Sequence, residues 1–598
     1  MLNSLSVWTV IFFCFLVACE SSDSSQDART TEGQDQTIAD GEDLGIEQDL
    51  ALQDQSIADQ EFPQDDMDTV STPTAPMIEF CIQEGLASRT WQEPQDDYLF
   101  GSIAGDFTVE TIRGPWHLSE QWSGCESYVF FVYFPDLRVS SSGAWIGDQL
   151  WDSDVTGLLN GPKNTHYFFL SYEEDLQVRT DRMVDMHNRL IRSLNAGEQL
   201  PERRLHFVTD RVTEIEGSVG AFFSDYLAYV FDPNSVVDLE ERGSIQPPLP
   251  FSFGIDRLQR WDSGGSLDEV VGRPMLWKMA TYIGPFYNYI SDVYDQALND
   301  NATEITLIDN RESERVLIKT VELPSAEEVA QYNTLEVDVS VTCPHRNVFA
   351  CSEWDRIARI EYCIDPECEA RLEIARWITP YWRRGERRWI WDATPFIGWL
   401  AAGGNQTFRI ELGPSWERPT ERDVRVQLRL GEKENSKETV DALLAFTGGE
   451  FNETYNDRMP FRFTPPANID QVELVILLSG HGQTAQDNCA EWCDHQHHFT
   501  VNETSLPTVK HEGMIGSSDG CAGSVTKGVS PGQFGNWAPE RAFWCPGLPV
   551  EPIRIDLTEH VTLGTENTLQ YRATLGEEIE PRGGKITLNA YLVYSQQP

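Results

Sequence analysis

Basic residues are scarce in this 598-residue chain: 45 Lys and Arg stand against 96 Asp and Glu, for a formal charge of −51. A field of that sign repels phosphate backbones and anionic headgroups, which argues against nucleic-acid binding. Long apolar runs are missing as well. Beyond the extreme N-terminus none approaches the roughly 20 residues that span a bilayer, which argues against an integral membrane body. What the chain has in quantity is aromatic surface, at 11% with 18 Trp, suited either to β cores or to stacking against flat and sugar-like ligands. The length suggests about three domains at roughly 100–200 residues each.

Residues 1–19 read as an address. Leu5 to Ala18 is too short for a membrane-spanning helix and fits the apolar core of a secretory signal, although Met1 to Val7 holds no Lys or Arg. Leu16-Val-Ala-Cys19 resembles a bacterial lipobox, which implies cleavage before Cys19 and lipidation of its thiol. An ordinary signal peptide cut nearby is the alternative. Residues 20–76 follow as a tether. Between 20 and 75 there are sixteen acids and one base, Arg29, too little apolar surface to offset ordering entropy, so this linker is expected to be disordered. Setting aside Cys14 and Cys19, ten of twelve cysteines remain. They fall in close pairs: Cys81/Cys125, Cys343/Cys351, Cys363/Cys368, Cys489/Cys493 and Cys521/Cys545. In an exported protein these read as five disulfides, with a metal at Cys489-x-x-x-Cys493 as the other possibility.

Three folded blocks follow. Residues 77–300 read as an α/β domain of unknown role. Tyr128-Val-Phe-Phe-Val-Tyr133 and His166-Tyr-Phe-Phe-Leu-Ser-Tyr172 are buried strands, with a short helix between them capped by Asp152 or Ser153 and ending at Leu159. A second helix is expected from Asp181 to Leu194, with Met183, His187, Leu190 and Leu194 on one face. A third, Leu267 to Leu298, is interrupted by Pro274 and Pro285. Cys125 ends a Trp-Ser-Gly-Cys string that lacks the first cysteine of a redox C-x-x-C, and it is read as structural. From 301 onward the period changes to two. Leu335/Val337/Val339/Val341, Val424/Val426/Leu428/Leu430 and Ile586/Leu588/Ala590/Leu592 alternate with polar residues, the mark of half-buried antiparallel strands. A charged, helix-friendly stretch, Glu432 to Glu438, divides 301–433 from 434–598, each of a size for an eight-stranded jelly roll.

Chemistry concentrates in three segments of the second half. They are Cys351-Ser-Glu-Trp-Asp-Arg356 with Arg376-Trp-Ile-Thr-Pro-Tyr-Trp382, Ser479-Gly-His-Gly482 with Cys489-Ala-Glu-Trp-Cys493, and Gly535-Asn-Trp-Ala-Pro-Glu-Arg-Ala-Phe-Trp-Cys-Pro-Gly547. Carboxylates, arginines and tryptophans thus sit on short cystine loops, as preorganised polar groups require. In this order the strings resemble the peptide:N-glycosidase F family, bacterial amidases that remove N-linked glycans from asparagine. The likeness covers roughly residues 301–598. It implies a mainly β unit of two adjacent eight-stranded antiparallel jelly rolls with the site at their interface and no cofactor or metal.

By that resemblance Asp355 is the primary catalytic aspartate and Glu491 the glutamate working with it. Arg356, Arg541, Trp354, Trp416, Trp492 and Trp544 are then substrate-binding. The resemblance also implies an N-linked glycoprotein or glycopeptide substrate. Two carboxylates sharing a site would give one base and one acid. Without it, Asp355 and Arg356 read as neighbours on a strand, either one free to be a surface ion pair. The likeness has departures. A family glutamate two residues before a tryptophan, matched here to Trp416, would fall on Pro414, next to Gly413, while Glu411 and Glu417 are out of register. The family's Ser-Gly-Trp-Gly-His string has His481 in place of its tryptophan. The expected protein is an exported bacterial lipoprotein, monomeric, in the periplasm or on the outer membrane or cell surface, touching membrane only through its lipid. Two alternatives remain: a glycan-binding lipoprotein without catalysis, and a copper-dependent monooxygenase-like protein using His481, His495 and His497, with His498 facing away.

Overall fold

Period-two alternation becomes paired strands throughout the second half of the chain. The computed structural model describes residues 74–94, 99–133, 156–193, 202–231, 251–266, 276–299, 301–343, 354–381, 385–413, 422–434, 436–482, 488–533, 536–576 and 583–597. The signal and tether expectations for 1–73, including Cys14 and Cys19, fall outside these residues. So do Asp152, Ser153, Leu194, Pro274, Cys351, Pro414, Trp416 and Glu417.

In the first block, strands Ser127–Tyr133, Thr165–Ser171 and Leu205–Arg211 run parallel side by side. Antiparallel strands flank them on both edges: Phe107–Thr111 and Gly114–His117 on one, Phe251–Ile255 and Trp261–Ser266 on the other. The unbroken apolar run at 128–133 is explained by burial on both faces. Val129, Phe131 and Tyr133 enter one core with the helices Leu176–Ser193 and Leu276–Asn299. Tyr128, Phe130 and Val132 enter another with the helix Ser218–Phe231.

Three expectations for helices need correction. The second helix starts at Leu176 rather than Asp181, because the Asp175 carboxylate accepts from the free N–H groups of Gln177 and Val178 at 2.8 and 3.1 Å. Leu276–Asn299 runs as one helix through Pro285. The charged stretch after Glu432 is no helix: Ser436 N–H closes a turn onto Lys433 and strand Glu438–Glu450 begins at once. Between Ser127–Tyr133 and Thr165–Ser171 the described residues hold only a single 3-10 turn, Thr156–Asn160.

Among the described residues the remainder is built from four antiparallel sheets. One pair is Val316–Ser325, Gly403–Glu411, Ile357–Cys363 and Arg371–Ile378 against Gly385–Asp392, Thr334–Cys343, Arg422–Gly431 and Thr303–Glu312, packed over a single core. The other is Glu438–Glu450, Lys585–Gln596, Gln471–His481 and Ile553–Asp556 against a sheet led by Asn567–Leu575 and His495–Val501. That last sheet has five strands among the described residues, because Thr504–Ser505 and Val509–Lys510 fold back as two short additions. Val475, Leu477, Tyr591 and Val593 of the second sandwich join the core of the first.

A buried ion pair crosses the same seam. Arg376 forks onto Glu373 at 2.6–2.7 Å and donates to Ser479 Oγ at 2.9 Å and the Thr587 carbonyl at 2.6 Å. Asn589 donates to Glu373 from the second sandwich. Buried pairs are costly to break singly, because the survivor is left charged in a low-dielectric interior. Arg376→Met is expected to destabilise the sandwich pair by about 3–5 kcal/mol in urea unfolding, and the double variant Glu373→Gln/Arg376→Met to recover most of that loss.

Candidate active site

Asp355 and Arg356 lie in the loop ahead of strand Ile357–Cys363, not on it, so the opposite-face argument does not apply. Thr379 clamps this loop. It accepts from Arg356 N–H at 2.8 Å, donates to the Trp354 carbonyl at 3.1 Å, and returns its own N–H to the Arg356 carbonyl. Asp355 is buried, which removes the surface-pair reading. Glu491 sits on a single helical turn, Cys489–Trp492, closed by the Cys489–Cys493 disulfide. That bond settles the metal alternative for these two cysteines. Cys81–Cys125, Cys363–Cys368 and Cys521–Cys545 are disulfides as expected. The Cys343/Cys351 pairing involves a residue outside the described ones.

Between the two carboxylates stands a fully buried guanidinium. Arg541 Nη1 donates to Asp355 Oδ2 at 2.7 Å and meets Glu491 Oε1 at 2.9 Å. Its Nη2 donates to both oxygens of Asn536 and lies 3.3 Å from Tyr381 Oη. Burial works against the Arg541 charge, but Tyr381, Asp355 and Glu491 outweigh it and hold its pKa above the usual value. Burial, then Asp355, pushes the Tyr381 phenol up. The carboxylates therefore meet through a shared cation rather than face to face. Trp544 Nε1–H donates to Asp355 Oδ2 at 2.6 Å, and Trp492 lies over Arg541 at 4.9 Å from the guanidinium carbon to the ring centroid. Trp354 is 37% exposed and has the Arg356 guanidinium 5.8 Å from its ring.

Glu491 is tied down at both oxygens. Oε2 accepts from Gly482 N–H at 3.1 Å and lies 3.0 Å from His481 Nδ1. Its backbone carbonyl accepts from Ala542 N–H at 2.8 Å, which joins the helix turn to the residue after Arg541. Phe543 carries φ +57°, a left-handed conformation that non-glycine residues rarely hold, and it lies between that bond and Trp544. Trp544 also walls a cavity of about 620 Å³ together with Ile378, Leu478, Phe543 and the His511–Glu540 pair.

Of the expected site residues, Asp355, Glu491, Arg541, Trp492 and Trp544 converge, with Trp354 and Arg356 beside them. Tyr381, Asn536 and Gly482 were not singled out from the sequence, although all three lie inside the quoted strings. The histidines do not assemble as a metal site, and no cluster of three or more His, Cys, Asp or Glu side chains suited to a metal occurs among the described residues. His495 and His497 have both ring nitrogens engaged: His495 Nε2 to the Ala490 carbonyl at 2.9 Å, His495 Nδ1 to His497 Nε2 at 2.8 Å, and His497 Nδ1 to Tyr571 Oη at 2.7 Å. His498 faces away, toward Thr574 and Thr508.

With this geometry in view, residues 450–593 match the family model described as peptide-N-glycosidase F, C terminal. Over 263 residues the chain is 28% identical to peptide-N(4)-(N-acetyl-beta-D-glucosaminyl)asparagine amidase F of Elizabethkingia miricola, covering 41% of this chain and 69% of that protein. Over part of its length the chain is similar to peptide-N-glycosidase F. Among solved structures, the crystal structure of a peptide-N(4)-(N-acetyl-beta-D-glucosaminyl) asparagine amidase at 2.2 Å is similar at 21% identity, 50% of this chain, 97% of that chain and a TM-score of 0.41. PNGF-II is similar at 12% identity, 52% and 67% coverage and a TM-score of 0.38. The model match spans Glu491 and Arg541, and Asp355 precedes it.

The buried histidines make a pH prediction. Burial lowers His495 to about 4, against an unfolded value of roughly 6.5. Between those values the unfolded chain binds a proton that the folded chain refuses, so stability falls as pH drops from about 6.5 toward 4. In His495→Gln, the acid-side loss measured by urea unfolding between pH 7 and 4 should shrink by on the order of 3 kcal/mol.

Proposed function

We propose that this protein is an amidase that hydrolyses the bond between an asparagine side chain and the innermost N-acetylglucosamine of N-linked glycoproteins or glycopeptides. The asparagine becomes aspartate, and a glycosylamine leaves that breaks down to the free glycan and ammonia. The observation that carries the reading is the buried Asp355–Arg541–Glu491 bridge. Its members come from one sandwich, the Cys521–Cys545 loop and the other sandwich. The relationship to an amidase of this class supports it, as does the reading of the sandwiches as a pair of jelly rolls with the site at their seam.

Amide hydrolysis needs an activated water, a donor for the developing oxyanion and a proton for the leaving nitrogen. Arg541 and Trp544 both donate to Asp355 Oδ2, which holds this carboxylate in place to take a proton from water. Arg541 has its Nη groups committed to protein acceptors, so it positions the carboxylates. Arg356, buried beside the exposed Trp354 in the loop that carries Asp355, is the second cation of the site and the one assigned to the amide oxygen. Trp354 and Trp492 offer ring faces to the chitobiose core. Glu491 anchors the far side of Arg541.

The test is mass spectrometry of a treated N-glycopeptide. Conversion of Asn to Asp adds about 1 Da beyond loss of the glycan. Removing a general base typically costs about 10²–10⁴ in rate, so Asp355→Asn should reduce release to near background and Glu491→Gln should lower it by about 10²-fold or more. A glycopeptide that the wild type leaves unchanged sinks the proposal.

A further inference from the structure

The amidase reading leaves one requirement unassigned, the proton for the departing nitrogen. Glu491 is poorly arranged to give it. Gly482 N–H donates to its Oε2 and Arg541 meets its Oε1, so the third neighbour, His481 Nδ1, also presents a hydrogen to it. Three donors around one carboxyl group fit an acceptor, not an acid. The Nδ1–H bond then fixes the imidazole with Nε2 at its far end. That nitrogen has no hydrogen-bond partner in the protein, although it is shielded from bulk solvent. The ring is held flat on Trp544, with centroids 4.3 Å apart and planes 13° apart, and the same indole donates to Asp355. His481 therefore touches both ends of the bridge, through Glu491 and through Trp544. Its side chain is 23% exposed, unlike the enclosed His495 and His497.

We propose that His481 is a catalytic residue of this site, the general acid that protonates the leaving nitrogen through Nε2. The inference rests on the amidase reading and deepens it. Asp355 takes a proton from water as the water oxygen bonds to the amide carbon. The carbonyl pair moves onto oxygen and returns as the C–N bond breaks. The nitrogen keeps the C–N pair and takes the Nε2 proton of His481. Solvent then carries the proton held by Asp355 back to His481, so water and amide become carboxylic acid and glycosylamine with nothing left over. Glu491 pairs with the imidazolium while it waits, as carboxylates do for catalytic histidines elsewhere. The charged and titratable groups packed about His481 are Glu491 on its helix turn, Asp355 and Arg541 reached through Trp544 and Glu491, and Lys585, its register partner on the neighbouring strand.

The experiment compares wild type, His481→Gln and His481→Gly on one N-glycopeptide across pH, with melting curves to verify folding. In the wild type, rate should fall on the alkaline side as the acid loses its proton. His481→Gln can still donate to Glu491 but has no proton to transfer, so kcat should drop about 100-fold or more, KM should change less than about threefold, and the alkaline fall should disappear. Added imidazole should restore part of the rate to His481→Gly. On the unmutated chain, the His481 ring nitrogens, followed by 15N NMR, should shift when the released glycan is added. Wild-type release together with an unchanged kcat and pH profile in His481→Gln overturns the assignment of His481 and leaves the amidase reading standing. No release by wild type overturns both. Ring-nitrogen signals indifferent to the glycan count against His481 even if the variants fail to fold.

Discussion

One guanidinium fixes the relation of every other part. Arg541 is buried, and a buried cation is tolerable only with close counter-charges. It finds two, Asp355 at 2.7 Å and Glu491 at 2.9 Å, which are 136 positions apart in the chain and belong to different sandwiches. Neither carboxylate could be buried there alone. The three groups thus specify one another, and the domain seam that brings them together is held elsewhere by the Glu373–Arg376 pair and its partners on the second sandwich.

The first block packs against the loop that carries part of this centre. Cys521, Ala522, Val525, Val529, Trp537, Ala538 and Cys545, all from the loop that carries Arg541 and Trp544, sit in the same core as Phe131, Tyr167, Met183 and Ile283. Tyr282 on the helix Leu276–Asn299 donates to Asp519 at 3.0 Å. Gly528 shows how tight the fit is. Its φ is +109°, and an added Cβ would lie 2.6 Å from the Trp389 indole, whose N–H bonds to the Gly528 and Gly547 carbonyls. The described part of the first block therefore forms one side of the foundation of the loop that carries Arg541 and Trp544, and the sandwiches form the other.

Much of this was legible, unevenly and for physical reasons. Alternation at 335–341, 424–430 and 586–592 declared its strands because each has one wet and one dry face. The run 128–133 gave its burial but not its partners, since a strand covered on both sides carries no periodic signature. Asp175 as a helix cap was missed because the apolar stripe that flagged the helix begins a turn later. The quoted strings delivered Asp355, Glu491 and Arg541, yet not the bridge between them, which depends on contacts across 50 and 186 residues. Trp416 and the replaced glutamate at Pro414 lie outside the described residues.

The histidines illustrate why composition alone misleads. His481, His495 and His497 looked equivalent as a possible metal set, but hydrogen-bond direction separates them. The Ala490 carbonyl only accepts, so His495 must donate from Nε2 and accept at Nδ1 from His497 Nε2–H. His497 Nδ1 in turn accepts from Tyr571, whose hydroxyl oxygen is met by Tyr455 at 2.7 Å. Every position in that chain is filled by protein, and burial keeps both rings neutral. Its output is the fixed placement of Ala490, the residue before Glu491. His481 is the opposite case, with one nitrogen committed to Glu491 and the other left without a partner. Closed chains orient and open ends react. By that criterion the chemistry of these two strands, one from each sheet of the sandwich, belongs to His481, and their architecture to His495 and His497.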